Sequence, residues 1–102
     1  MMTLKEVAKL LAEGTSLAGM NLEGADLSGL NLDNANLQRV NLRGANLSKT
    51  SLVGASLMEA NLMGANLFMA DLRGANLQGA LLKRAVMEGA KLRGANLKKA
   101  LF

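Results

Sequence analysis

The side chains of this 102-residue chain that could do chemistry are carboxylates, amines, guanidiniums and hydroxyls, because it contains no His and no Cys. The commonest general base and metal ligand is therefore missing, and so is any thiolate nucleophile. A catalytic centre would have to come from paired carboxylates or from a serine beside a base. The acids Glu23, Asp26, Glu59 and Asp71 are scattered along the chain, and Ser16, Ser28, Ser48, Ser51 and Ser56 have no base at a spacing that pairs them. The recurrent Gly-Ala-Asn and Gly-Ala-Asp triplets lack the pattern of a phosphate loop. No catalytic constellation, cofactor site or metal site is expected, and the chain is read as a non-enzyme.

What must position these side chains is a period of five. Every fifth residue from Leu17 to Leu82 is leucine; Met87 substitutes once, Leu92 and Leu97 resume, and Phe102 keeps the register. Alanine commonly stands two residues earlier, and Asn, Asp or Ser one residue earlier. A helix would scatter a five-residue period over all its faces. A continuous strand would alternate the leucines between its two sides. A turn within each pentad removes the conflict. A short extended piece puts alanine and leucine on one side, the polar residue between them points out, and the chain then turns. All eleven glycines fall two residues after the leucine position, where a type II turn needs positive φ. Arg39, Lys49, Glu59, Met69, Arg84 and Lys99 share that register and predict corners of type I form instead. Such units cannot bury their leucines alone, so they must stack into an all-β solenoid.

Ala25-Asp26-Leu27, Ala35-Asn36-Leu37, Ala45-Asn46-Leu47, Ala65-Asn66-Leu67, Ala75-Asn76-Leu77 and Ala95-Asn96-Leu97 match the A(D/N)LXX motif. Over residues 15–102 the chain resembles the pentapeptide-repeat family. The resemblance implies a right-handed quadrilateral β-helix with four pentapeptides per coil and about four coils. Residues twenty apart would then stack. Interior columns would run Leu17-Leu37-Leu57-Leu77-Leu97, Leu22-Leu42-Leu62-Leu82-Phe102, Leu27-Leu47-Leu67-Met87 and Leu32-Leu52-Leu72-Leu92. Met20, Leu30, Val40 and Thr50 replace the small alanine and predict a wider N-terminal end. The columns of Asn21, Asn41 and Asn61 predict stacked amide ladders.

Residues 1–14 read as a capping helix and 15–102 as the solenoid. Thr3 and Glu6 fit a capping box, Leu4, Val7, Leu10 and Leu11 recur at helical spacing, and Gly14 suits the stop. At the other end Leu92, Leu97, Leu101 and Phe102 form an apolar edge, a candidate surface for a homodimer. Lys5, Glu6 and Lys9 interrupt the N-terminal apolar stretch, and no stretch has the ~18 apolar residues of a membrane span. A cytoplasmic protein without a membrane partner is expected.

Obedience to the register explains most residues, so function should lie with those that break it. Val53, Met58, Met63, Phe68, Met69, Leu81 and Val86 put apolar side chains at outward or corner positions. They are the candidate surface for a protein partner. Residues 71–102 hold Arg73, Lys83, Arg84, Lys91, Arg93, Lys98 and Lys99 against Asp71 and Glu88, a net +5, whereas residues 1–70 carry −1. This is the candidate basic patch. The resemblance also raises DNA mimicry, since long acidic members of the family bind DNA gyrase in place of duplex. A polyanion mimic should be negative, and this chain is short with net charge +4. Weak binding of nucleic acid or an anionic surface through Arg73, Lys83, Arg84, Lys91 and Arg93 is the other alternative, and it is disfavoured because stacking aromatics are missing apart from Phe68 and Phe102. The reading is a rigid module that offers an apolar belt and a basic C-terminal third to a macromolecular partner.

Overall fold

A computed structural model describes residues 2–102; Met1, the first residue of the expected cap segment, lies outside the described residues. The fifth-residue period becomes a solenoid. Parallel bridges join Asn21 to Asn41, Asp26 to Asn46, Asn31 to Ser51 and Asn36 to Ser56, and continue in steps of twenty to Leu81 and Leu101. Four pentads thus make one circuit. The four leucine columns define four walls, named here first to fourth from Leu17, Leu22, Leu27 and Leu32. Each extended piece is so short that it contributes a single bridge residue, and among the described residues no longer strand forms.

The pentad is explained by following its five amides. In residues 46–50, Asn46 donates to Ala25 O at 2.9 Å and Leu47 to Asn66 O at 2.8 Å, one coil down and one coil up. Lys49 at the corner donates up to Phe68 O at 2.8 Å, and Thr50 closes the turn on Leu47 O at 3.2 Å. The fifth amide, that of Ser48, faces outward and donates to Asn46 Oδ1 at 3.0 Å. Each Asn or Asp that stands before a leucine therefore accepts from the amide two residues on. The same bond occurs at Asn21, Asp26, Asn31, Asn36, Asn41, Asn61, Asn66, Asp71, Asn76 and Asn96. This corrects the amide-ladder reading. Asn41 Nδ2 does donate to Asn21 Oδ1 at 3.2 Å, but the recurrent use of these side chains is the local turn bond.

The corners also differ from expectation. Arg39, Lys49, Glu59, Met69, Arg84 and Lys99 all adopt positive φ, between 55° and 62°, like the glycine corners. For Arg39, Lys49, Glu59 and Met69 the ladder is the reason; Arg84 and Lys99 adopt the same φ although their amides donate to no backbone carbonyl among the described residues. Arg39 donates to Met58 O at 2.9 Å as Gly79 does to Lys98 O, and that direction of the N–H needs the left-handed region. One corner of another form would break bonds to the coil above. Arg39→Gly should relieve about 1–2 kcal/mol of left-handed strain. The added flexibility of glycine should return about 0.5–1 kcal/mol of that gain. A urea midpoint that rises modestly is expected, and a fall would show that the corner is unstrained.

The column leucines from Leu17 to Leu82 are buried to within 2% of complete, as are most of the alanines beside them. Val40 and Thr50 are buried in place of alanine, with Thr50 Oγ1 satisfied by Leu47 O at 2.7 Å. Met20 and Leu30 are half-buried against the core. Met87, Leu92 and Leu97 are half-buried as well. Phe102, expected in an interior column, is 65% exposed because it lies past Leu82 with no coil above it.

Helix α1, Leu4–Ala12, closes the N-terminal end. Its capping box is complete: Thr3 Oγ1 accepts from Glu6 N at 3.2 Å, and Glu6 Oε1 accepts from Thr3 N at 3.0 Å. The Thr3 bonds hold the Glu6 carboxyl below its ordinary pKa. Gly14, with φ 74°, ends the helix by donating to Leu11 O while Thr15 donates to Leu10 O. Val7 is wholly buried, Leu10 and Leu11 pack against the core, and Leu4 is exposed. Among the described residues no helix is long and apolar enough to cross a membrane.

Candidate interaction surface

The walls sort the residues that break the register. Val53 lies on the fourth wall and Met58 on the first, both half-buried. The others gather on two adjoining walls: Met63 and Leu81 on the second, Phe68, Met69 and Val86 on the third. Phe68, Met69 and Val86 are 41%, 49% and 42% exposed, among the few large apolar side chains so open to solvent. The Met69 side chain lies along its corner over Gly89. The apolar belt is thus a patch on the second and third walls, and Val53 and Met58 stand apart from it.

Leu81 and Val86 occupy positions where the fold favours a polar residue. Each stacks on an asparagine, Asn61 or Asn66, whose Oδ1 holds an outward amide. With Leu81 and Val86 in that place, the amides of Lys83 and Glu88 have no protein acceptor among the described residues. Both substitutions therefore forgo a turn hydrogen bond and expose apolar area.

The basic patch divides in a similar way. Arg73 is forked onto Asp71, with Nε 2.8 Å from Oδ1 and Nη2 2.6 Å from Oδ2. Within that set it is a paired cation. The Arg73 hydrogen bonds hold the Asp71 carboxyl below its ordinary value, with Lys91 on the next coil adding to the effect, and Asp71 in turn raises Arg73. Because the folded value is depressed, this contribution to stability is present above the unfolded pKa of 3.8 and disappears as pH falls through the folded one. An NMR titration should show Asp71 midway below 3.8, and Arg73→Gln should move it back up. An Asp71 midpoint at the ordinary value in the wild type would dissolve the pair.

Arg93 stacks above Arg73 on the fourth wall, and Lys98 and Lys99 lie on the first, all exposed. Lys83 and Arg84 lie on the second wall, where they share a hollow of about 140 Å³ with Arg43, Gly44, Met63 and Gly64. Sequence reading missed Arg43 because it lies outside the basic C-terminal third. The signal was its place in the outward column Glu23-Arg43-Met63-Lys83, at intervals of twenty. At the far end a wider, open hollow of about 670 Å³ lies between α1 and the first coil, reaching Leu11, Ser16, Asn31 and Asp33. The Asp33 carboxylate there is already engaged by Ser51 Oγ and, at 2.9 Å, by Val53 N.

Two serines do meet a carboxylate, contrary to the spacing argument: Ser51 Oγ donates to Asp33 Oδ1, and Ser28 Oγ donates to Asp26 Oδ1 at 2.8 Å. That bond lowers the Asp26 pKa, which makes the carboxylate a weaker base. No cluster of three or more acids with metal-binding geometry occurs among the described residues. Leu101 and Phe102 are exposed at the C-terminal end, beside half-buried Leu92 and Leu97.

The family model for pentapeptide repeats matches residues 12–44, 41–79 and 70–102, with 8 copies. Among solved structures, a pentapeptide repeat protein of the Arabidopsis thaliana thylakoid lumen is 33% identical with a TM-score of 0.65, covering 81% of this chain and 65% of that one. The chain thus spans just under two thirds of that relative's length. A pentapeptide repeat protein from Nostoc PCC 7120 is 31% identical with a TM-score of 0.52, covering 96% of this chain and 74% of that one. The fluoroquinolone resistance protein QnrB1 is 23% identical with a TM-score of 0.42, covering 76% and 40%. None of the curated protein sequences matches.

Proposed function

The chain belongs to the pentapeptide-repeat family, and we propose that it acts without catalysis, as a rigid module that binds a protein partner through its second and third walls. The solenoid is read as right-handed with about four coils, residues 1–14 serving as its cap and 15–102 as its body. The observation that carries the function is the pair Leu81 and Val86. A solenoid selected for stability alone would keep the turn acceptor there, as it does at Asn61 and Asn66. Apolar side chains in its place add instead to exposed Phe68 and Met69 and half-buried Met63, the kind of patch that marks an interface. Methionines let such a surface adapt to its partner.

Val86→Asn separates stability from binding. Restoring the acceptor for the Glu88 amide should raise the unfolding free energy by about 0.5–1 kcal/mol. The same change should reduce recovery of the partner in a pull-down, and Phe68→Asp should abolish it. Equal recovery of the same partner by wild type and both variants would overturn the proposed surface.

A second reading, a homodimer through Leu92, Leu97, Leu101 and Phe102, is favoured by the exposure of Leu101 and Phe102 and opposed by the nearby cations Lys98 and Lys99. Sedimentation at micromolar concentration decides it, and the mass of one chain rejects it.

A further inference from the structure

Three cations converge on the second wall around one hollow. Arg43 and Lys83 stand in the same outward column, two coils apart, with Met63 between them as the floor. At a coil spacing of ~4.8 Å their backbones are roughly 10 Å apart, well within joint reach of one bound group. Gly44 and Gly64 leave the adjoining corner bare, and a Cβ built on either would meet no atom within 4 Å. Arg84, with φ 62°, places a side chain over that corner where the two coils beneath have none. The ion pairs among the described residues are Arg39 with Glu59 and Arg73 with Asp71, so none of the three is ion-paired with a carboxylate. Glu23, the acid of the same column, lies with its Oε1 3.4 Å from Asn41 Nδ2. The contrast with the fourth wall is informative: there Asp71 neutralises Arg73 and lies beneath Lys91. On the second wall the charge is left open, and like charges this close repel until an anion joins them.

We propose that this hollow is an anion-binding subsite that receives the carboxylates of an acidic segment of a protein partner. Apolar residues of that segment would lie on Met63 and Leu81 and, round the corner, on Val86 and Phe68. The apolar half rests on the surface proposed above; the anionic half stands on Arg43, Lys83 and Arg84 alone. Guanidinium groups grip carboxylates through paired hydrogen bonds, which suits two arginines beside one lysine. A protein segment fits better than a nucleic-acid strand. The cations close on one hollow with an apolar floor instead of tracking a backbone, and the second wall carries no aromatic ring for a base to stack on apart from Phe102 at its end.

The test is an amide NMR titration of the full chain with a blocked hexapeptide of glutamate and leucine, against its glutamine counterpart. The glutamate peptide should shift the Gly44, Gly64 and Arg84 amides to saturation, and the glutamine peptide should not. Arg43→Gln and Arg84→Gln should each weaken binding about 10-fold, as loss of one partner of a charge pair does. Lys98→Gln, which removes the same charge from the first wall, should leave affinity within about twofold. Gly64→Asn can keep the left-handed corner and puts a side chain into the hollow, so it should abolish saturation. Equal weakening by Lys98→Gln, saturating shifts elsewhere, or tighter binding of a single-stranded oligonucleotide at the same amides would each overturn the proposal. Binding that survives Val86→Asn but not Arg84→Gln would keep the subsite and reject its apolar extension.

Discussion

Leu62→Ala is expected to lower the unfolding free energy by about 2–5 kcal/mol, towards the upper end. Leu62 is wholly buried in the second column, between Leu42 and Leu82, which are buried to within 2%. The cost of such a cavity depends on how far its walls can close, and here they are held. Leu42 donates to Asn61 O and Leu62 to Leu81 O, both at 2.8 Å, so the coils cannot approach one another to fill the gap. Ala60 and Ala65, both buried and small, have no longer side chain to swing inward. Each coil of a solenoid is supported mainly by its neighbours, so the loss falls on the coupling between the coils above and below. Urea unfolding followed by circular dichroism should show a large fall in midpoint, or a split transition if the halves separate. The same truncation at half-buried Leu97 should cost less. A Leu62→Ala chain with the wild-type midpoint would remove the interior column.

The columns were legible because burial and period carry the same information: a leucine every fifth residue has one geometric solution that buries all of them. The cap was legible for a local reason, since Thr3, Glu6 and Gly14 satisfy helix ends through bonds to near neighbours. The corners were misread because φ preference was weighed one residue at a time. Arg39 and Met69 are poor left-handed residues individually, but an inter-coil ladder that each must join outweighs the strain. The asparagines show the reverse error. A long-range ladder was inferred where a bond to the amide two residues on was sufficient. The charged surface was only partly legible. Arg73 and Asp71 are two apart in sequence, and their pairing follows from both facing out of one pentad. The grouping of Arg43 with Lys83 and Arg84 appears only when the chain is read in steps of twenty, so a division into a front of net charge −1 and a basic back concealed it.

Val7→Asp should destabilise the chain by about 3–5 kcal/mol, the usual effect of an uncompensated charge in an apolar site. Val7 is the one residue of α1 that is wholly buried, and it belongs to the same core as Leu17 and Leu22. No Lys or Arg is buried with it to receive a carboxylate. The helix has two ways to respond: it can carry the carboxyl into the core as the neutral acid, or lift away. Lifting away costs the N-terminal end its cover, and α1 is what lies over the first leucines. Amide exchange should therefore quicken first at Leu22 and Leu27, and only later at Leu62, because the coils depend on their neighbours. Burial raises the pKa of the introduced carboxyl, so the loss should shrink as pH falls below its folded value. Thr3→Ala makes the contrast, as it removes a cap bond worth about 1 kcal/mol while leaving Val7 in place. A Val7→Asp chain that melts and exchanges like the wild type would show that α1 does not seal the solenoid. Equal exchange at both ends of the chain would show that the coils unfold as one unit.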